Sequence, residues 1–556
     1  MSDLREYIVI LKNSEDLEQF YDDMETPGGN LYIPDREVNV AYRRSISRST
    51  HYFLTDDEAA EVKNDPRVQD VILPYHELGL KLVALTTQTS SNWDKSGTNN
   101  ADDVNWGLLR GYQSEPIAGW GSDGTVSVTA TIALSHIGRD VDVVIMDGHI
   151  QPDHPEFSVN ADGTGGSRVV QFNWFQYNQQ VRSESSGTYV YDFVSGADSD
   201  LNHGHNVASI AAGNTNGWAR GANIYNIHPY SGNTANATGY GNYLYDLINY
   251  IRVWHQNKAA NPKTGVKNPT IVNMSIGFQG ALDLGNINQI TYQGTTYNKP
   301  GGGWTVNDRI YFDLVAASGS TIYWHSRDSS MDADVEDAIA DGIIMVGAAG
   351  NFYMYNDVPS GSNYNNKLTY LYLGVIPYDF YYMRGPSPGA ATGCINVSSI
   401  DSTVSERKAN YSNAGPRTDI FAAGSNIMGA QYSGGVADPR NGSYTKAKMS
   451  GTSMATPQVT GLLACALEAY PRMTPAQAKT YIREYANTNL TGGGSFNTTY
   501  PSVAYIDYNT LYGADNKYAV YKRERKDSGE VYPKKEYFIR QTTTGRAWPR
   551  TRIRRT

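Results

Sequence analysis

Cysteine is almost missing from this chain: 556 residues hold two, Cys394 in an apolar strand pattern and Cys465 in an apolar helix pattern. Two thiols without a spacing motif exclude a disulfide framework and read as core residues. Long apolar runs are missing as well. The N-terminal segment Met1-Ser-Asp-Leu-Arg-Glu-Tyr-Ile-Val-Ile10 carries early acids and an apolar run of four residues at Ile8 to Leu11, too short for a signal-peptide core. No stretch is long enough to span a bilayer. The sequence therefore predicts synthesis in a cytoplasm, no membrane partner, and export only by another route such as lysis or packaging in a virus particle. Positive charge is scarce outside the C-terminus. Residues 517–556 hold 13 Lys and Arg against 4 Asp and Glu, a net +9, which leaves −19 on the rest of a chain whose formal charge is −10. A basic tail on an acidic body suits docking on a polyanion or on another protein, and equally suits a solvated terminus.

What the chain does have is concentrated in four short segments. Met449-Ser-Gly-Thr-Ser-Met-Ala-Thr-Pro457 places a serine at a Gly-containing turn that opens an apolar helix. Small neighbours there admit a substrate backbone, and the first free N–H groups of the helix face an arriving oxyanion. Val141–Asp147 followed by Gly-His-Ile, Asn202-His-Gly-His-Asn-Val-Ala-Ser209 and Ile343-Ile-Met-Val-Gly-Ala-Ala-Gly-Asn351 supply an aspartate, a histidine and an asparagine. Taken singly, Ser453 is a helix cap, Asp147 a strand-end turn residue, His203 a loop histidine and Asn351 the Asn of a Gly-Asn turn. Together they hold the residue types that a nucleophile, a general base, an orienting carboxylate and an oxyanion donor require, in the order Asp, His, Asn, Ser.

In the local sequence around all four positions the chain resembles the subtilase family of serine peptidases. Ile271-Val-Asn-Met-Ser-Ile-Gly277 resembles the family's substrate-binding strand, which points to Ser275, Ile276 and Gly277 as substrate-binding residues. Lys408–Pro416 and Asp419–Gly424 resemble its late core segment, and Asn105-Trp-Gly-Leu-Leu109 the start of many mature subtilases. The resemblance implies a serine endopeptidase acting on protein or peptide substrates. Ser453 would be the nucleophile, His203 the base, Asp147 the residue that orients it and Asn351 the oxyanion donor, with no cofactor required for catalysis. Two departures stand out: Gly148 and His149 follow the aspartate where the family carries Ser or Thr and then Gly, and the histidine motif reads His203-Gly-His-Asn-Val-Ala-Ser209. They add His149 and His205 to Asp147 and His203, a set a zinc hydrolase could use, but that reading leaves the serine motif unexplained, and no metal ligand is assigned. A structural calcium, as in many subtilases, is compatible with Glu156 at a matching position.

The length predicts more than one folding unit. Residues 1–80 read βαββαβ, a ferredoxin-like unit. Strands are expected at Tyr7–Leu11, Val38–Arg44, Thr50–Leu54 and Val68–Leu73. A first helix is capped by Ser14 and carries Leu17, Phe20, Tyr21 and Met24, and a second opens on the capping box Thr55-Asp-Asp-Glu58. The unit resembles the inhibitory propeptides of subtilases, which makes the chain's own propeptide a partner. Residues 81–103, polar and without hydrophobic period from 86 onward, read as a linker holding the processing site, with the cut between Leu78 and Asp103. Residues 104–490 read as an α/β catalytic domain, a mostly parallel, doubly wound sheet with strands at 141–146, 271–276, 343–348 and 394–399 and helices around Leu244–Ile251 and 332–341. Insertions at 281–327 and 352–385 interrupt it; the second holds eight tyrosines in 34 positions and suits a specificity flap or a protein-contact surface. Residues 491–556 form a C-terminal extension. The rival reading is a catalytically silent subtilase-fold protein of a virus particle.

Overall fold

The computed structural model describes residues 4–29, 38–43, 47–74, 86–113, 120, 127–187, 201–228, 244–314, 316–372, 375–402, 408–484, 486 and the short strands at 524–525 and 531–532. The rest of the basic tail and residues 78–85 of the expected cut window lie outside the described residues. The chain divides into two compact units, Met1–Ala84 and Leu85–Thr556.

The first unit has the βαββαβ order that the sequence predicts. Its antiparallel sheet runs Asn39–Arg43, Ser49–Leu54, Arg5–Leu11, Val68–Ile72, and Phe20 and Met24 of the helix Leu17–Glu25 enter a core with Val9, Leu11, Tyr52, Leu54 and Val62. The capping box at Thr55 and Glu58 is formed in both directions. Ser14 is not a cap: it opens a 3-10 turn, Ser14–Asp16, that precedes the helix.

The second unit is built on seven parallel strands in the order Ile420–Ala423, Ile395–Ile400, Ile344–Ala348, Thr270–Met274, Asp142–Met146, Asn223–Ile227, Val169–Val170. Side chains of a strand alternate between its faces, and both faces are covered. Val143, Ile145, Ile271 and Val346 pack with residues of the helices Leu201–Ala212 and Thr452–Ala469. Val144, Met146, Val272 and Met345 pack with residues of Leu244–Asn257 and Ser329–Ala340. Two-sided burial is why these strands read as continuous apolar runs.

From Thr86 onward the expected linker is not one. Thr86–Trp93 is a strand paired antiparallel with Val128–Leu134, and Trp93 is fully buried with its indole N–H on the Ala130 carbonyl at 3.0 Å. Beyond it, the Lys448 ammonium binds Asp94 at 2.7 Å and Asp103 at 2.8 Å, while Lys95 lies over the rings of Trp106 and Trp120. The Thr, Ser, Gln and Asn of this strand give no apolar contrast along the sequence; its partner strand supplies the hydrophobic side, and burial of the charges depends on Lys448, far away in sequence.

The two insertions form one body. A four-stranded antiparallel sheet joins Thr295–Asn298 and Ile287–Tyr292 from the first to Lys367–Tyr372 and Ile376–Tyr381 from the second. Their shared core contains Leu284, Ile290, Trp324, Met354, Leu368 and Tyr382. Of the tyrosines, Tyr355 and Tyr382 are core residues while Tyr372 and Tyr378 are about half exposed, at 47% and 50%.

Candidate active site

The candidate residues gather at the carboxyl ends of the central strands, where ligand clefts of open parallel sheets lie. Asp147 directly follows Asp142–Met146, and its backbone N–H continues the sheet by donating to the Ile227 carbonyl at 3.2 Å. Asn226, on the neighbouring strand, donates its amide to the carbonyls of Ile145, Asp147 and Gly148 at 3.1, 3.3 and 3.2 Å, fixing the turn. His203 enters from the helix Leu201–Ala212, and its Nδ1 lies 2.7 Å from Asp147 Oδ1. The approach depends on Gly204, because a Cβ there would run into the Gly148 carbonyl. Asp147 is fully buried; Oδ1 also accepts the Gly148 N–H at 2.8 Å, whereas Oδ2 has no hydrogen-bond partner among the described residues. With glycine after the aspartate, no hydroxyl side chain stands there to donate.

The altered residues of the histidine segment serve the scaffold. Asn206 donates to the Ala447 carbonyl at 3.1 Å, and Ser209 Oγ accepts the Ala430 N–H at 2.8 Å, so the helix is tied to the strands Ile427–Gln431 and Asn441–Met449.

Ser453 stands at the second position of the helix Thr452–Ala469, 8% exposed, with its Oγ 3.2 Å from the Ser275 carbonyl. Ser275 is buried and works inward: its Oγ donates to the Ser453 carbonyl at 2.8 Å and accepts from Asn273 Nδ2 at 2.9 Å, and Asn273 in turn accepts from Thr460 at 3.0 Å. The nucleophile's helix is thereby fastened to the substrate-strand candidate. Ile276 is half-buried against the apolar core, and Gly277 is exposed beside Pro386, where a Cβ would come within 2.7 Å of the ring.

Asn351 is oriented by Thr452, a residue for which the sequence gives no separate signal. The Asn351 Oδ1 accepts both the Thr452 N–H at 2.8 Å and its hydroxyl at 2.9 Å, so the amide Nδ2 is turned away as a donor. A Cβ built at Gly451 would lie 3.5 Å from Asn351 Nδ2 and 3.6 Å from the Ser453 N. Two donors thus border one small volume that glycine leaves free of a side chain, with the Met454 sulfur 3.7 Å from the same point.

The alternative ligand sets do not assemble. His205 is buried and its Nε2 accepts the Gln151 N–H at 2.8 Å, and the His149 ring stacks on His228 at 4.3 Å. Among the described residues no group of three His, Cys, Asp or Glu side chains could hold a metal ion. The surroundings of Glu156 do not fit a calcium ion. Its carboxylate receives Arg440 Nη2 at 2.5 Å, the Thr215 hydroxyl, and the N–H groups of Thr215 and Asn216 at 3.1 Å each. Complete burial works against the charged form, yet Arg440 and these donors outweigh it and hold the carboxyl at about 2. A guanidinium stands where a cation would.

A model of the subtilase family matches residues 138–500, a span that contains Asp147, His203, Asn351 and Ser453. An extracellular serine proteinase of Thermus sp. (strain Rt41A) is 25% identical over 463 residues, 83% of this chain and 76% of that protein. An alkaline proteinase of Hapsidospora chrysogena is 26% identical over 328 residues, 57% of each chain. A crystal structure of a cold adapted subtilisin-like serine proteinase aligns over 76% of this chain and 99% of its own at 20% identity, with a TM-score of 0.42. With its family's model matched over well more than half its length, the chain belongs to the subtilase family.

Proposed function

We propose that this subtilase is an endopeptidase that cleaves protein or peptide substrates through Ser453, His203 and Asp147, with Asn351 and the Ser453 N–H receiving the oxyanion. Ser453 Oγ adds to the scissile carbonyl while His203 takes its proton; the C–N bond breaks as His203 returns that proton to the leaving amine, and water repeats the cycle on the acyl-enzyme. Asp147 holds the imidazole by its Nδ1 and stabilises the cation that forms. The observation that carries the reading is the pair of donors converging beside Ser453 at the volume Gly451 leaves empty, since donors fixed before reaction stabilise the developing charge without reorganisation. Ser453→Ala tests it: peptide hydrolysis should vanish while the fold survives, and full activity in that variant would refute the serine mechanism.

The first unit is assigned the role of an inhibitory propeptide, removed by the enzyme itself. The ferredoxin-like topology and its place ahead of the catalytic unit support this. Because Thr86–Trp93 is a paired strand of the catalytic unit, the cut belongs before Thr86, in a narrower window than the polar sequence predicts.

A further inference from the structure

The loop that carries Asn351 rests on a residue of the first insertion. The strand Thr321–His325 ends in a histidine that is 8% exposed. Its ring stacks on Phe352 with centroids 4.3 Å apart and planes 26° from parallel. It also closes on Gly350, where a Cβ would collide with the ring and where φ is +103°, a region that glycine tolerates best. The residues on both sides of Asn351 therefore lie against one imidazole.

Asn413 completes the brace. Its Oδ1 accepts the N–H groups of Phe352 and Met354 at 2.9 Å each, and its backbone N–H donates to the Gly350 carbonyl at 2.8 Å. Those two acceptances fix which way the amide faces, so its Nδ2 is the donor in the 2.9 Å contact with His325 Nδ1. His325 must accept there, which requires the neutral ring with its proton on Nε2. Burial favours that form and pushes the ring's pKa down to about 3.

We infer that His325 is a positioning residue for the oxyanion site: it fixes Asn413 and the 350–354 loop, and through them the Asn351 amide, coupling the insertion to the chemical step. This rests on the assignment of Asn351 as oxyanion donor. His325 acts through that side chain and not on substrate, so its loss should be felt in the transition state and little in substrate binding.

The test is a double-mutant cycle on the full chain with a peptide substrate. His325→Phe keeps a ring against Gly350 and Phe352 and removes the acceptor; His325→Asn restores an acceptor near the Nδ1 position without the ring. His325→Phe should lower kcat about tenfold, the size of one lost hydrogen bond, with KM within about twofold. His325→Asn should recover most of that loss. In an Asn351→Ala background, His325→Phe should cost less than about twofold more. Equal losses in both backgrounds, a KM effect without a kcat effect, or a folded His325→Asn as poor as His325→Phe would overturn the inference. If His325→Phe does not fold, a folded His325→Asn that retains kcat within about threefold still supports it, and one that loses tenfold or more overturns it. An Asn351→Ala enzyme with unchanged kcat would instead refute the oxyanion assignment beneath it.

Discussion

Removing Arg440 should uncover a buried electrostatic contribution to the catalytic unit's scaffold. Glu156 is fully buried, and its carboxyl sits at about 2 against a usual 4.5. That difference corresponds to about 3 kcal/mol of stability. The folded value lies below the unfolded one, so the contribution is complete above about pH 4.5 and is lost as pH falls toward 2. Arg440→Met leaves Glu156 buried without its nearest cation and also strips Asp438 of a partner at 2.7 Å. Breaking a buried pair on one side costs about 3–5 kcal/mol. The buried Arg168 and Arg220 also attract Glu156, which places the expected loss at the lower end, about 3 kcal/mol. Urea melts at pH 7, made on Ser453→Ala to prevent self-digestion, measure it, and Glu156→Gln in the same chain should return part of the loss. A chelator should leave the wild-type midpoint in place. A loss under about 1 kcal/mol, or a chelator-sensitive midpoint that calcium restores, would refute the reasoning.

Gly451→Ala places a methyl between the two oxyanion donors and should lower kcat about 10²-fold with little change in KM, by analogy with loss of one such donor; steady-state kinetics on a peptide would show otherwise if KM alone moved. Purified wild-type protein should release an N-terminal fragment ending before Thr86, read by intact mass, and Ser453→Ala should stay whole; a cut between Thr86 and Asp103 would mean that the paired strand opens before processing. Deleting residues 517–556 should abolish any salt-sensitive binding to heparin or DNA and leave peptidase activity intact, whereas undiminished binding would place the polyanion site elsewhere.

The candidate site was legible because the residues proposed for it lie in locally distinctive segments. Asp147, Asn351 and Ser453 each sit beside an apolar run that had to be a buried strand or helix, and His203 lies in a segment dense in small residues. What escaped depends on partners far away in sequence. Thr452 matters for the amide it orients 101 residues away, and Lys448 turns residues 94–103 from an apparent linker into a packed segment by pairing with Asp94 and Asp103. Glu156 stood at a position compatible with calcium, but nothing in its own neighbourhood announces Arg440, which lies 284 residues away. The insertions gave the weakest signal, since each alone is a run of short strands and only pairing of Ile287–Tyr292 with Lys367–Tyr372 makes them one body.

Covalent capture of the nucleophile tests the account most directly. Wild-type enzyme treated with a fluorophosphonate should gain one adduct, and peptide mapping should place it on Ser453. His203→Ala should slow the labelling by several orders of magnitude, because the hydroxyl loses its base. An adduct on another residue, or equal labelling of wild type and Ser453→Ala, would contradict the assignment of Ser453 as the catalytic serine.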